Sequence, residues 1–177
     1  MKVIYAPDTN FLLQFREPSQ VNWKDLTPAD EVELVILLSV LRELDKHNHG
    51  PNGRRRKVAE RVLKSIRGLE PGNNLEVRRQ GPRVVFREIE PVDETVDLPS
   101  WIDRSKPDEA ILAEILEYQA GGTSGLQLLT ADMALKRLAR RAGVEAVMPP
   151  DEWKLPPEPD ANEKRVNELE RQVRQLL

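Results

Sequence analysis

At 177 residues, 39% of them hydrophobic and 32% charged, the chain is long enough to bury one domain-sized core and to carry extra segments. It contains no cysteine, which excludes disulfides, a thiolate nucleophile and Cys-based zinc sites. No apolar run approaches the ~18 residues of a membrane span, and the N-terminus lacks a signal-peptide pattern, so a cytoplasmic protein with no membrane partner is expected.

The net charge of −3 hides an asymmetry. Between Arg54 and Arg87, eleven cations meet three acids (Glu60, Glu70 and Glu76), so this stretch carries about +8 and the remainder about −11. A basic block in an acidic protein is a candidate polyanion-binding face, or a solvated helix face of no further meaning.

Taken in chain order, Lys2-Val3-Ile4-Tyr5-Ala6 is short, apolar and β-prone, and Pro7 ends it: a buried strand with its turn at Asp8. Phe11-Leu12-Leu13 opens a short helix or loop. Val32 to Leu37 reads as a second buried strand, followed by a helix from Ser39 as N-cap to the Gly50-Pro51 stop. Residues 54–67 have helical spacing, with Val58, Val62, Leu63 and Ile66 as the apolar stripe and cations elsewhere. Arg83 to Phe86 is strand-like, and Glu88 to Ile102 has no periodicity and is expected to be an irregular insertion. Pro107 suits a first helical turn, and the helix continues through Asp108 to Tyr118. Gly125 to Thr130 reads as a strand, 131–142 as a helix ending at Gly143, and Val144 to Met148 as the last strand.

This alternation favours an α/β fold with a central parallel sheet flanked by helices. One domain over 1–150 is expected, then a Pro-rich acidic linker over 151–160 and an amphipathic helix over 161–177. In that helix Val166, Leu169, Val173 and Leu176 follow a coiled-coil seam pattern, which admits a homo-oligomer. An isolated helix this short is marginal in water, so it needs a partner.

Four acids stand where a strand is expected to give way to a helix, or early in a helix: Asp8, Glu43, Asp108 and Asp132. Each alone has an ordinary explanation. Asp8 and Asp132 could be N-caps, Asp108 could answer the helix dipole, and Glu43 could pair with Arg42 or Lys46. Together they call for a cation. Ligands of open α/β sheets bind at the C-terminal strand edge, and acids converging there repel one another unless a counter-charge lies between them. Carboxylate oxygens suit Mg²⁺ or Mn²⁺, and two such ions ~4 Å apart can stabilise both oxygens of an in-line phosphoryl displacement. Water is the expected nucleophile, because there is no Cys and no Ser paired with a suitable His. His47 and His49 lie in a Gly/Pro-rich turn and are read as surface residues. The basic helix, through Arg54, Arg55, Arg56, Lys57 and Arg61, would hold the phosphates of an anionic polymer without reading sequence.

The chain resembles the PIN-domain family of metal-dependent ribonucleases. The residues that carry the likeness are Asp8-Thr9-Asn10 after a hydrophobic strand, Glu43 in Val40-Leu41-Arg42-Glu43-Leu44-Asp45, Asp108 before Ala110-Ile111-Leu112, and Thr130-Ala131-Asp132 after Leu128-Leu129. The likeness covers residues 1 to about 150. It implies a three-layer α/β/α sandwich, a Mg²⁺ or Mn²⁺ site with Asp8, Glu43, Asp108 and Asp132 as ligands and catalytic groups, and Asn10 and Thr130 as polar supports. The implied activity is endoribonucleolytic hydrolysis of RNA by a metal-activated water. Residues 68–105 and the segment after Met148 exceed the compact toxin-type members, which favours an accessory or oligomerising element; an inhibitor protein is compatible with the family. The competing reading is a catalytically silent RNA-binding or scaffold module that recruits a partner through its last helix. A hydrolase of small phosphoesters with Asp8 as nucleophile ranks last, since Asn10 stands where a second Asp is needed.

Overall fold

The computed structural model describes residues 1–70, 72–88 and 96–177. Its centre is a six-stranded sheet built from β1 (Lys2–Pro7), β2 (Glu31–Val35), β3 (Asn74–Arg78), β4 (Arg83–Arg87), β5 (Leu126–Leu129) and β6 (Ala146–Val147), in the order β3-β4-β2-β1-β5-β6. The helices are α1 (Thr9–Gln14), α2 (Leu38–Asn48), α3 (Gly53–Ile66), α4 (Pro107–Ala120), α5 (Met133–Arg141) and α6 (Ala161–Leu176). Of these, α1 to α5 pack on the two sides of the sheet, which makes the domain an α/β fold with a mostly parallel sheet. Among the described residues no helix is long and apolar enough to cross a membrane.

The sheet has apolar central strands because both of its faces are covered. Val32, Leu34 and Val35 on β2, Val84 and Val85 on β4, and Leu126, Leu128 and Leu129 on β5 are buried. Glu33 is the exception in β2. It lies 1% exposed between Arg87 (2.5 Å) and Lys2 (3.0 Å), two cations that offset its desolvation.

Several expectations need correction. No local pattern announces β3. It is an antiparallel edge strand on β4 with no fully buried residue, so its apolar signal shrinks to Leu75 and Val77. The irregular insertion expected over Glu88 to Ile102 lies partly outside the described residues. Its described end packs on the domain, where the Arg141 guanidinium sits 4.5 Å above the Trp101 ring. Ser39 is not the N-cap of α2. The helix begins two residues earlier, after Leu37, which has no capping side chain. The cap comes from α4 instead: the Glu114 carboxylate accepts from the amides of Leu38 (2.8 Å) and Ser39 (2.7 Å). A long-range cap of this kind leaves no local sequence signal.

The expected linker starts too early. Trp153 is 3% exposed and meets Trp23 edge-on at 4.9 Å between centroids. The Arg16 amide donates to the Trp153 carbonyl (2.8 Å), the Leu155 amide to the Gln14 carbonyl (2.8 Å), and Phe15 pairs with Lys154 as a β-bridge. Residues 151–155 are therefore a clasp on the back of α1. Beyond them α6 buries no residue and starts with a capping box, Asp160 with Glu163.

Trp153→Ala is expected to lower the unfolding free energy by about 3–5 kcal/mol, the usual cost of emptying a buried aromatic site. A chain ending at Pro159 should keep the full-length stability in the same urea titration. Equal stability of the Trp153→Ala protein would refute the clasp.

Candidate active site

β1 and β5 lie side by side in parallel register, with Pro7 opposite Leu129. The chain leaves β1 toward β2 on one side and leaves β5 toward β6 on the other. That divergence is the topological switch point of the sheet, where the strand ends open a crevice. The next residues of the two strands are Asp8 and Thr130, and the ladder extends one step to them through the Asp8 amide and the Leu129 carbonyl (3.1 Å).

Asp8 is 4% exposed. Its Oδ1 accepts from the Phe11 amide (2.8 Å), so it caps α1, and its Oδ2 accepts from the Thr130 hydroxyl (2.5 Å). Thr130 is fully buried, and its Oγ1 also accepts from the Asp132 amide (3.0 Å). Asp132 caps α5, its Oδ1 accepting from the amides of Ala134 (2.8 Å) and Leu135 (3.2 Å). The capping roles read from sequence are therefore real, and they orient both carboxylates at the strand edge.

The other two acids arrive on helices. Glu43 is half-buried on α2, and its Oε2 accepts a short hydrogen bond from the Thr9 hydroxyl. The sequence reading gives Thr9 no role, although it stands inside the Asp8-Thr9-Asn10 motif. Asn10, expected as a support, is exposed, and among the described residues its side chain makes no hydrogen bond. Asp108 lies in the first turn of α4. Glu114 ties that helix to the N-terminus of α2, which holds the elements bearing Asp108 and Glu43 together.

The four charges act on one another. Burial pushes the Asp8 carboxyl up to about 6, against the bonds from Thr130 and Phe11, and the charges of Asp132 and Asp108 add to it. Asp108 is pushed up as well, by burial first and then by Asp132, Glu43 and Glu109. Among the described residues none of the four has a Lys, Arg or His ion-pair partner.

These carboxylates do not stand as a finished ion cage. Among the described residues no three His, Asp or Glu side chains are grouped so as to hold a metal ion. Asp8, Glu43 and Asp132 each have at least one oxygen engaged by a protein donor. The donor chemistry nonetheless fits a hard divalent cation, being all oxygen, uncompensated and mutually repelling. A coordination shell would need these side chains to turn from the positions described.

The predicted phosphate-binding cations are divided. Arg54 donates to the Pro156 carbonyl (2.7 Å) and Arg61 pairs with Glu17 (2.9 Å). Arg55, Arg56 and Lys57 are exposed and, among the described residues, without an ion pair. Arg54 and Arg55 line a groove of about 320 Å³ with Lys154.

A pH dependence follows from Asp8. Its carboxyl is about 6 in the fold against an ordinary 3.8, so folding favours its protonated form. That contribution is whole below pH ~4 and is lost as pH rises through ~6, about 3 kcal/mol in order of magnitude. In EDTA at pH 7, Asp8→Asn should therefore be more stable than wild type, and the gap should close toward pH 4 in parallel urea titrations. An Asp8→Asn protein less stable than wild type at pH 7 would refute the electrostatic strain.

No curated protein matches the chain. A family model described as a PIN domain matches residues 5–149, a span that runs from β1 past β6 and takes in all four acids. PIN domains are generally nucleases, typically dependent on Mg²⁺ or Mn²⁺. The chain belongs to the PIN domain family.

Proposed function

We propose that this protein is a Mg²⁺- or Mn²⁺-dependent endoribonuclease that hydrolyses RNA phosphodiester bonds. The observation that supports it best is the convergence of Asp8, Glu43, Asp108 and Asp132 at the sheet's switch point, where burial and neighbouring acids push the carboxyls of Asp8 and Asp108 up and none of the four has a cationic ion-pair partner among the described residues. A protein keeps such repulsion where function needs it. These four residues would hold the cation, which when bound supplies Lewis-acid polarisation of the phosphate and activation of water.

The chain's own residues set the frame. Asp8 is the most buried of the four and is held by the Phe11 amide and the Thr130 hydroxyl. Thr130 couples it to Asp132, and Thr9 holds Glu43 at the same edge. No cysteine is present, no Ser is hydrogen-bonded to a His among the described residues, and both oxygens of Asp8 are engaged by the Phe11 amide and the Thr130 hydroxyl, which favours water as the nucleophile. Arg55, Arg56 and Lys57 would hold RNA phosphates, a sequence-independent contribution to affinity.

A second reading keeps RNA binding and drops catalysis. The unassembled carboxylates and the fully exposed α6 favour it, since Val166, Leu169 and Val173 are each more than half exposed and await another copy or a partner. Cleavage separates the two. End-labelled single-stranded and hairpin RNA should be cut in Mn²⁺ or Mg²⁺ but not in EDTA. Asp132→Asn should lower the rate at least ~100-fold, beyond what substitutions outside the inner shell of a metal site cost. Mn²⁺ should raise the melting temperature of wild type and leave that of Asp132→Asn unmoved. RNA bound but never cut, with no shift in Mn²⁺, would move the assignment to the binding module.

A further inference from the structure

We propose that the RNA backbone runs from the acid site along α5, in the groove between that helix and the β6 edge. The inference rests on the nuclease reading and adds to it where the substrate lies. It starts from spacing. Met133, Lys136, Arg137 and Arg140 recur at i, i+3, i+4 and i+7 and share one helix face. The opposite face, with Leu135 and Ala139, is buried in the core.

That outer face borders a groove of about 630 Å³ whose far wall is the turn from Gly143 into β6. Gly143 adopts φ +75, a left-handed conformation that ends α5 and turns the chain back along it. Glu145 is the one acid among the groove's lining residues. Three cations therefore face one acid across an open channel.

These cations are also available. Among the described residues Lys136, Arg137 and Arg140 take part in no ion pair, whereas Arg141, on the next position, covers Trp101. On α3, Arg54 is held by Pro156, Arg61 by Glu17 and Lys64 by Glu60, which leaves Arg55, Arg56 and Lys57 as the unpaired cations near its start.

Continuity with the site completes the argument. α5 begins at Asp132, its own N-cap, so the cationic face starts one turn from a carboxylate of the reaction centre. From Met133 to Arg140 it runs about 10 Å, enough for a short series of phosphates. Met133, 56% exposed at the near end, offers an apolar surface to a base. An unbranched polyanion fits such a surface better than a compact ligand would, because the charges lie in a line and the groove is open along its length.

The test measures binding of a fluorescein-labelled single-stranded RNA in EDTA, where no cleavage occurs, and cleavage in Mn²⁺ alongside. K136Q/R137Q/R140Q should weaken binding at least ~10-fold at low salt and make the slope of log K against log salt shallower by about 2, the share of three phosphate contacts on a single strand. K164Q/R165Q/R174Q, which removes the same charge from α6, should bind as wild type. Equal loss in both variants would reduce the effect to net charge and overturn the groove. So would wild-type binding by the α5 variant, or a wild type that cuts RNA yet binds none without metal; in these cases the nuclease reading survives. A wild type that neither binds nor cuts RNA removes both.

Discussion

One hydroxyl organises the site. Thr130 Oγ1 donates to Asp8 and accepts from the Asp132 amide, so a single buried atom sets the relation between the acid after β1 and the acid after β5. The bond is possible because β1 and β5 are neighbours in register, with Pro7 beside Leu129, although 122 residues separate the two partners in sequence. A buried polar group costs free energy unless it is satisfied. Here the satisfied network is what holds two carboxylates at the mouth of the sheet.

The rest of the domain serves that edge. Glu114 replaces the missing local cap of α2 and joins it to α4, so the helices bearing Glu43 and Asp108 are fixed to each other as well as to the strands. Behind Asp8, α1 is held by an aromatic cluster in which Phe11 stacks on Phe15 and Trp23 meets Trp153. The clasp of residues 151–155 closes over it, so chain lying after the last strand steadies the helix that Asp8 caps.

This support has an electrostatic purpose. Asp8 is buried with acids for neighbours, a placement that opposes folding whenever the carboxyl is ionised. Hydrophobic burial in the sheet and clasp offsets it. The cations of α3 and α5 form no ion pair with the four acids among the described residues, although α5 itself starts at Asp132. The fold thus sets the four acids together at the strand edge and leaves the unpaired cations of α3 and α5 on helix faces outside it.

The α/β class, the strands β1, β2, β4 and β5, the helices α2 to α6 and the helix-start positions of Asp8, Asp108 and Asp132 were legible in the sequence, because each rests on local physics: apolar runs for buried strands, 3.6-residue spacing for helices, and Asp at helix starts. The long-range bonds were not. The cap of α2 by Glu114, the ties of Thr130 to Asp8 and of Thr9 to Glu43, and the burial of Trp153 in a stretch that reads as a linker all join residues far apart in the chain. β3 stayed hidden for a related reason: an edge strand gains its order from the partner it pairs with, and its own sequence needs few apolar residues. Local propensity names the elements and their acids; side-chain partners are set by strand order, which no local pattern carries.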